Sequence, residues 1–288
     1  MQCALCRKGE TSEAGHIIPH FAFRHLVKTS PTRFIRGYDN PNVRLQDGKT
    51  RHFLCPNCED ILGRWEKIFA QNVFHPLHIH HVKRDRDYPT MSQFPYGEWL
   101  LKFCVSVSWR SLYDLMLDHP EEPLPHGDNE NAKQALTVWR EYLIGERESV
   151  DAFPQHLTIV GSPVETSGIA NTSDLKLFFE RGITHSTWHN PFESYVFTKM
   201  CRVIVAGTIK DQVRPWKGTL VGPDSGHFSL QEQVLSGVFT SWIRSDIAGM
   251  PIARDRLSER QSEVIDAAIK KFLSKNQGDA DSEKNDRK

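Results

Sequence analysis

The sequence contains no apolar run that approaches the roughly 18 residues a membrane-spanning helix needs. It also lacks a Gly-x-Gly-x-x-Gly segment, a Walker phosphate loop and a Gly-x-Ser-x-Gly segment. These absences argue against a dinucleotide enzyme, a nucleoside triphosphatase and a hydrolase of the common α/β fold. The N-terminus does not have the basic and then apolar layout of a secretion signal. We therefore expect a cytoplasmic protein with no membrane partner.

The net charge is zero, because 36 basic residues balance 36 acidic ones. No global field therefore indicates a nucleic-acid partner. The distribution is uneven, however, since residues 1–90 contain 14 Lys and Arg against 9 Asp and Glu. This basic excess coincides with the segment that carries most of the motifs described below. It gives weak support to a phosphate-bearing partner for that segment.

Cysteine is scarce, yet four of the six cysteines form two Cys-x-x-Cys pairs. In a reducing compartment such pairs are more plausibly metal ligands than disulfides. Two such turns supply the four thiolates that tetrahedral zinc prefers, so the sequence predicts a structural zinc site. The alternative is that the pairs are coincidental members of an apolar core. The predicted ligands are Cys3, Cys6, Cys55 and Cys58.

The two cysteine pairs enclose the tetrapeptide His16-Ile17-Ile18-Pro19, and the second pair follows a leucine and opens a helix. Over residues 3–70 this combination resembles the zinc-stabilised, four-cysteine branch of the HNH endonucleases. The resemblance implies a ββα-metal, treble-clef-like hairpin clamped by the cysteines, with one catalytic Mg²⁺ or Mn²⁺. The rest of the chain looks like uncharacterised bacterial proteins, for which antiphage defence is an expectation by analogy alone.

Three catalytic positions follow from this resemblance. His16 matches the general base that removes a proton from the attacking water. The middle position of the motif, which orients the histidine or the hairpin loop, matches Asn42, with Asn40 as a competitor. The third position is Glu59, whose carboxylate would hold Mg²⁺ or Mn²⁺ because hard cations prefer oxygen ligands.

The chain departs from the HNH pattern in two ways. Active members often carry an aspartate immediately before the base, and here that residue is Gly15. The third-position histidine is absent, and the spacing between His16 and Cys55 is longer than in the compact motif. Glu10 or Glu13 could supply the missing carboxylate. Two interpretations stay open, a working nuclease and a degenerate module that only binds.

Basic residues with interleaved aromatic rings lie between the histidine and the second cysteine pair. Cations of this kind neutralise phosphates whatever the base sequence, so they are candidates for contacts to a nucleic-acid backbone. An ordinary charged surface is the alternative interpretation. The candidates are Arg24, Lys28, Arg33, Arg36 and Arg44.

Apolar periodicity predicts the remaining organisation. A helix begins near Cys58, and segments of β-branched residues near 156–160 and 202–207 predict strands. The last helix carries a row of apolar residues on one face, and the polar residues 277–288 predict a disordered tail. Further helices are expected at about 96–117, 129–147, 230–246 and 258–274.

These observations predict an α+β fold with two units and a tail. Residues 1–90 form the zinc-stabilised HNH-like module, and residues 91–276 form a larger mixed domain of helices with a small sheet. The expected function is metal-dependent hydrolysis of phosphodiester bonds, in DNA more than in RNA. The alternative is a catalytically inactive zinc module that docks nucleic acid or a partner protein, and a homo-oligomer is a further expectation.

Overall fold

The computed structural model describes residues 1–11, 14–78, 93–118, 124, 128–150, 152–160, 172–213, 216–230 and 233–285. The architecture is mixed α+β, with helices packed around small antiparallel sheets. This confirms the predicted α+β class. Among the helices in these ranges, none is both long enough and apolar enough to cross a membrane.

The N-terminal region is built on two very short strands and two helices. Strand β1 (Gly15–His16) pairs antiparallel with β2 (Thr50–Arg51), and helix α1 (His20–Thr29) lies between them in the chain. Helix α2 (Pro56–Phe69) begins directly after Cys55. Proline at the first helical position suits this start, because the amide it lacks would have no helical partner. The order is strand, helix, strand, helix, and the expected ββα-metal, treble-clef-like arrangement stays a prediction.

The rest of the described chain contributes most of the regular structure. A π-helical turn (Ala70–Phe74) and helix α3 (His75–His78) extend α2. The remaining elements are β3 (Gln93–Tyr96), α4 (Glu98–Asp118), α5 (Asn129–Leu143), β4 (Gln155–Ile159), α6 (Thr172–Arg181), β5 (Ile183–His189), β6 (Glu193–Met200), β7 (Val203–Asp211), β8 (Gly226–Ser229), α7 (Gly237–Asp255) and α8 (Glu259–Asn285).

A four-stranded antiparallel sheet with the order β4-β7-β6-β5 forms the centre, and β3 pairs with β8 in a smaller ribbon. Successive residues of the central strands face opposite sides, as the strand period of two requires. Val203 and Val205 therefore join the apolar core on the side of α4, whereas Ile204 and Ala206 join a second core with α7. Helices thus cover both faces of the sheet.

The larger apolar core crosses the predicted division at residue 90. It includes Cys3 and Cys55 of the N-terminal region together with Phe103 and Trp109 of α4. The rings of Phe69 and Phe103 stack with centroids 3.9 Å apart, which joins α2 to α4. The predicted domain boundary at residue 90 lies outside the described ranges, so the boundary stays a prediction. Helix α8 runs to Asn285, through part of the segment for which a disordered tail was predicted.

Candidate metal sites and cavity

The four cysteines of the two Cys-x-x-Cys pairs form one cluster. We call the turn Cys3–Cys6 the first knuckle and the turn Cys55–Cys58 the second knuckle. Their sulfur atoms all lie within 4.8 Å of one another, and the Sγ atoms of Cys6 and Cys55 are 3.7 Å apart. Cys3, Cys55 and Cys58 are buried, and Cys6 is half-buried. Four thiolates at this spacing can hold a structural metal ion such as zinc.

The backbone of the first knuckle is shaped for this cluster. Its turn closes through a hydrogen bond of 2.9 Å from the Arg7 amide to the Cys3 carbonyl, and Arg7 adopts a φ of 57°. Gly9 then passes so close to the second knuckle that a Cβ atom there would lie 2.9 Å from the Cβ of Cys55. Glycine at this position therefore allows the two knuckles to approach each other.

The environment of the thiols affects their ionisation. Burial opposes ionisation of Cys6, but hydrogen bonds from the backbone of Gly9 and Lys8 outweigh it and lower the pKa of Cys6 to about 6. Burial raises the pKa values of Cys55 and Cys58. A bound cation would remove these protons, because only thiolates act as metal ligands.

A second group of metal-binding side chains lies at the β1–α1 junction. The Nε2 atom of His16 is 2.8 Å from Oδ2 of Asp47, and Nε2 of His20 is 3.7 Å from the same oxygen. The two imidazole rings stack with centroids 4.7 Å apart. One ligand atom from each residue lies within 4.8 Å of the others, so the three can hold a metal ion.

Local sequence explains how this group forms. His16 ends β1 and His20 begins α1, and the three residues between them, Ile17, Ile18 and Pro19, are buried. This short buried link turns the chain from strand to helix and places one ring over the other. Asp47 is held from the other side by the Gly48 amide, which donates to its Oδ1 at 2.8 Å.

Asp47 remains ionised under ordinary conditions. Partial burial raises its pKa, but the hydrogen bonds from His16 and the Gly48 amide outweigh this effect and hold the pKa below its usual value. The three side chains are also accessible, since those of His16, His20 and Asp47 are 23%, 48% and 43% exposed. A cation held here would keep free positions for water or substrate.

A cavity of about 220 Å³ adjoins this group, and Glu59 lines it. Oε1 of Glu59 is buried and has no hydrogen-bond partner among the residues that the structure describes. Burial raises the pKa of this carboxyl, the positive charge of Arg110 opposes the rise, and the negative charge of Glu66 adds to it. The lining residues are Ala14, Gly15, His16, His20, Glu59, Gly63, Glu66 and Arg110.

The close packing of Gly15 against Glu59 explains the missing aspartate. A Cβ atom at residue 15 would lie 1.8 Å from Oε1 of Glu59. The carboxylate of Glu59 therefore occupies the space that a side chain before His16 would enter. The carboxylate that lines the cavity is therefore Glu59 of α2, and β1 contributes none.

Helix α4 anchors the paired strands β1 and β2, which carry part of the site. Arg110 is 2% exposed, donates to the His16 carbonyl at 3.1 Å and pairs with Glu66 at 2.6 Å. One turn later Asp114 has no exposed side-chain surface and accepts from Lys49 at 2.8 Å and from Arg51. The spacing of four residues puts Arg110 and Asp114 on one stripe of the helix, under β1 and β2 respectively.

The predicted catalytic residues are only partly brought together. His16 and Glu59 line the same cavity. Asn42 is engaged elsewhere, because its amide nitrogen donates to the Arg256 carbonyl at 2.9 Å and its oxygen accepts from the Ser258 amide at 2.8 Å. Asn42 thus contacts the residues just before α8, whereas His16 contacts the side chains of Asp47 and His20. Of the two residues considered as replacements, Glu10 forms a backbone β-bridge with Gln2, and Glu13 lies outside the described residues.

The five basic candidates divide into two groups. Arg24 and Lys28 lie exposed on α1. The other three have hydrogen bonds that stabilise the loop after α1. Arg33 donates to the Lys28 carbonyl at 2.7 Å. Arg36 and Arg44 both donate to Oε1 of Gln261, at 2.8 and 3.4 Å respectively. This loop is therefore docked on α8.

Sequence reasoning missed Asp47 and Arg110. Asp47 precedes a glycine, so its only local signal is that of a turn. Arg110 carries a signal that could have been used, because charges at 110, 114 and 118 recur every four residues along a helix in which most other residues are apolar.

Comparison with protein-family models, with curated proteins and with solved structures gives no match to this chain. The functional argument therefore depends on the residues of the two metal sites and the cavity.

Proposed function

We propose that this protein is a metal-dependent hydrolase of phosphodiester bonds, with DNA as substrate, whose active site is the cavity beside His16. One observation carries the proposal, namely that His16, His20 and Asp47 form an accessible group able to bind a metal next to a cavity lined by Glu59. The four-cysteine cluster would hold zinc and stabilise the hairpin. A tetrahedral site with four protein ligands has no position for substrate, so it performs no chemistry.

The donor set of the accessible site fits a divalent transition metal. Two imidazoles and one carboxylate suit Mn²⁺ or Zn²⁺ better than Mg²⁺, which prefers oxygen ligands and retains several waters. When bound, such an ion would polarise the phosphoryl oxygen and make an adjacent water more acidic. His16, His20 and Asp47 would hold it at the cavity mouth. We therefore expect Mn²⁺ to support activity better than Mg²⁺.

The geometry supports an exchange of the roles expected from the HNH resemblance. His16, expected as the base, directs Nε2 to the carboxylate that also faces His20, which favours a ligand role. Glu59, expected as a ligand, lines the same cavity, and its buried Oε1 has no hydrogen-bond partner within the described part of the chain. In the proposed reaction Glu59 accepts the proton of the attacking water, the new P–O bond forms and the bond to the leaving oxygen breaks.

A row of side chains on α1 supports nucleic acid as the substrate. His20, Arg24 and Lys28 are all exposed and recur every four residues, so they form one stripe of the helix. Each step along this stripe rises about 6 Å. The stripe leads away from the metal group and offers cations to the phosphates on one side of a bound strand.

The direct test is incubation of supercoiled plasmid with purified protein in Mn²⁺, Mg²⁺ or EDTA. We expect nicking with Mn²⁺, weaker nicking with Mg²⁺ and none with EDTA. Asp47→Asn keeps the size of the side chain and removes its charge, and we expect it to lower the rate about 100-fold or more. Persistent absence of cleavage by metal-loaded wild type would contradict the proposal.

A metal-binding measurement separates the two assignments of roles. Titration calorimetry with Mn²⁺, on protein whose zinc content is unchanged, should show the weaker site lost in His16→Ala and retained in Glu59→Gln. Both variants should lose cleavage. Retention of the Mn²⁺ site in His16→Ala together with its loss in Glu59→Gln would restore the original assignment, with His16 as base.

The expected alternative is a module that docks nucleic acid without cutting it, and the stripe on α1 supports it as well. Arg24 and Lys28 lie exposed on this stripe, whereas Arg33, Arg36 and Arg44 have hydrogen bonds to the protein itself. Under this alternative Arg24→Ala weakens DNA binding and Asp47→Asn does not.

A further inference from the structure

The C-terminal helix α8 carries an apolar stripe that belongs to neither core. Its members recur at helical spacing and are Val264, Ile265, Ala268, Ile269, Phe272 and Leu273. None of them is part of the two apolar clusters formed by the described residues. Val264, Ile269, Phe272 and Leu273 are 38%, 39%, 43% and 56% exposed. A contiguous exposed stripe of this kind is typical of an interaction surface.

The charges that surround the stripe identify its partner. On the N-terminal side of Ala268 the helix contains Glu259, Glu263 and Asp266 with one cation, Arg260, and residues 270–277 contain Lys270, Lys271 and Lys275. An antiparallel second copy with its two-fold axis near Ala268 would place residues 259–266 of one helix, which are net acidic, against residues 270–277 of the other, which are net basic. A parallel copy would place like charges together, which is unfavourable.

One pair of residues fixes the register. Asp266 and Lys270 are four residues apart, so they lie on the same flank of the stripe. A two-fold axis near Ala268 puts Asp266 of each copy opposite Lys270 of the other. The same symmetry packs the two apolar stripes against each other, because a two-fold interface pairs one surface with itself.

We propose that the chain forms a homodimer through antiparallel pairing of α8, with the stripe Val264–Leu273 at its centre. The stripe covers ten residues, which corresponds to about 15 Å of helix. An interface of this length is smaller than the standard of about 800 Å² on each partner. The dimer is therefore weak and depends on protein concentration. This inference is independent of the proposed hydrolase activity.

Sedimentation of the full-length protein across a wide concentration range tests the dimer directly. The average mass of the wild type should rise towards that of two chains. Phe272→Glu, which changes an exposed side chain, should stay monomeric, whereas Val213→Glu, which changes another exposed apolar residue, should behave as the wild type does. A monomer at every concentration, or dimerisation unaffected by Phe272→Glu, overturns the proposal.

Charge reversal tests the antiparallel register. Asp266→Lys and Lys270→Asp should each weaken self-association about tenfold, because each creates like-charge pairs across the axis. An equimolar mixture of the two variants should associate at least as tightly as the wild type, since both pairs are then of opposite charge. An effect within one chain would not be repaired by mixing. Failure of the mixture to associate overturns the antiparallel register.

Discussion

The four-cysteine cluster and the His16–His20–Asp47 group occupy the same small region but differ in accessibility. Both draw on the chain around β1 and the segment that leads into α2. Three of the four cysteines are buried. In the histidine group His20 and Asp47 are 48% and 43% exposed. A closed set of four ligands suits a structural ion, whereas an open set of three suits exchange with solvent and substrate. Stability should therefore depend on the first site and chemistry on the second.

The largest effect should follow the loss of one buried cysteine ligand. Cys58→Ser should remove the tightly bound metal and unfold the N-terminal region, because metal binding contributes on the order of 10 kcal/mol to folding in small zinc modules. Metal analysis and thermal unfolding measure both consequences. Cys104→Ser is the matched control, because Cys104 is buried but is not part of the four-cysteine cluster. This variant should therefore retain the metal of the cluster. Retention of zinc by Cys58→Ser would contradict the assignment of the closed site.

The next largest effect should come from Asp114, the carboxylate of α4 that binds Lys49 and Arg51 at strand β2. Asp114→Asn should destabilise the fold by about 3 kcal/mol, because the fully buried carboxylate loses its charge-assisted hydrogen bonds from Lys49 and Arg51. Denaturant unfolding gives the value. Asp118→Asn provides the control, since Asp118 is 39% exposed and should cost less than about 1 kcal/mol. Equal losses in the two variants would remove the distinction between a buried anchor and a surface pair.

The same carboxylate predicts how stability depends on pH. Burial raises the pKa of Asp114, but hydrogen bonds from His185, Lys49 and Arg51 outweigh it, so the pKa lies well below its usual value. The stabilisation is therefore complete above the unfolded pKa of about 4 and disappears as the pH falls below it. The difference in unfolding free energy between wild type and Asp114→Asn should shrink below about pH 4. A difference that stays constant on acidification would contradict this pairing.

A smaller effect on stability should accompany Gly15→Ala. The added methyl group meets the end of the Glu59 side chain, which can move, rather than the backbone. We expect a loss below about 1 kcal/mol in unfolding free energy. Cleavage should fall about tenfold, because the displaced carboxylate would no longer accept the proton at its proper distance. Mn²⁺ affinity, measured by calorimetry, should be unchanged, and full activity would contradict the proposed role of Glu59.

The smallest effect on stability should come from the open site itself. His20 is 48% exposed, so His20→Ala should change unfolding free energy by no more than about 0.5 kcal/mol. Its Mn²⁺ affinity should nevertheless fall by at least tenfold, because one of three ligands is lost. Arg24→Ala, one turn further along α1, should keep the Mn²⁺ site. If His20→Ala lost as much unfolding free energy as Cys58→Ser, the proposal that one site stabilises the fold and the other performs the chemistry would be contradicted.

Prediction from sequence succeeded where spacing along the chain decides the structure. The helices expected at 96–117 and 129–147 are found at Glu98–Asp118 and Asn129–Leu143. The hairpin of β5 and β6 was missed, and the helix expected at 230–246 lies at Gly237–Asp255. Strands take their stability from partners distant in the chain, so their own residues are a weaker signal.

The candidate site was predictable only in part for the same reason. The four cysteines could be grouped from sequence, because each Cys-x-x-Cys turn fixes two ligands locally. Asp47 could not be assigned, since it is 31 residues from His16 and reaches it only through the pairing of β1 with β2. Asn42 fits the motif by type, yet its hydrogen bonds are with Arg256 and Ser258.

The sequence by itself determined the four-cysteine cluster, the mixed α+β class and the helix that follows the second knuckle, because each depends on short-range spacing and apolar periodicity. Only the tertiary structure decided which carboxylate meets His16, where the carboxylate of Glu59 lies, and that α4 anchors the hairpin through Arg110 and Asp114. These contacts join residues far apart in the chain. Packing around a shared core brings them together, and no local pattern specifies that packing.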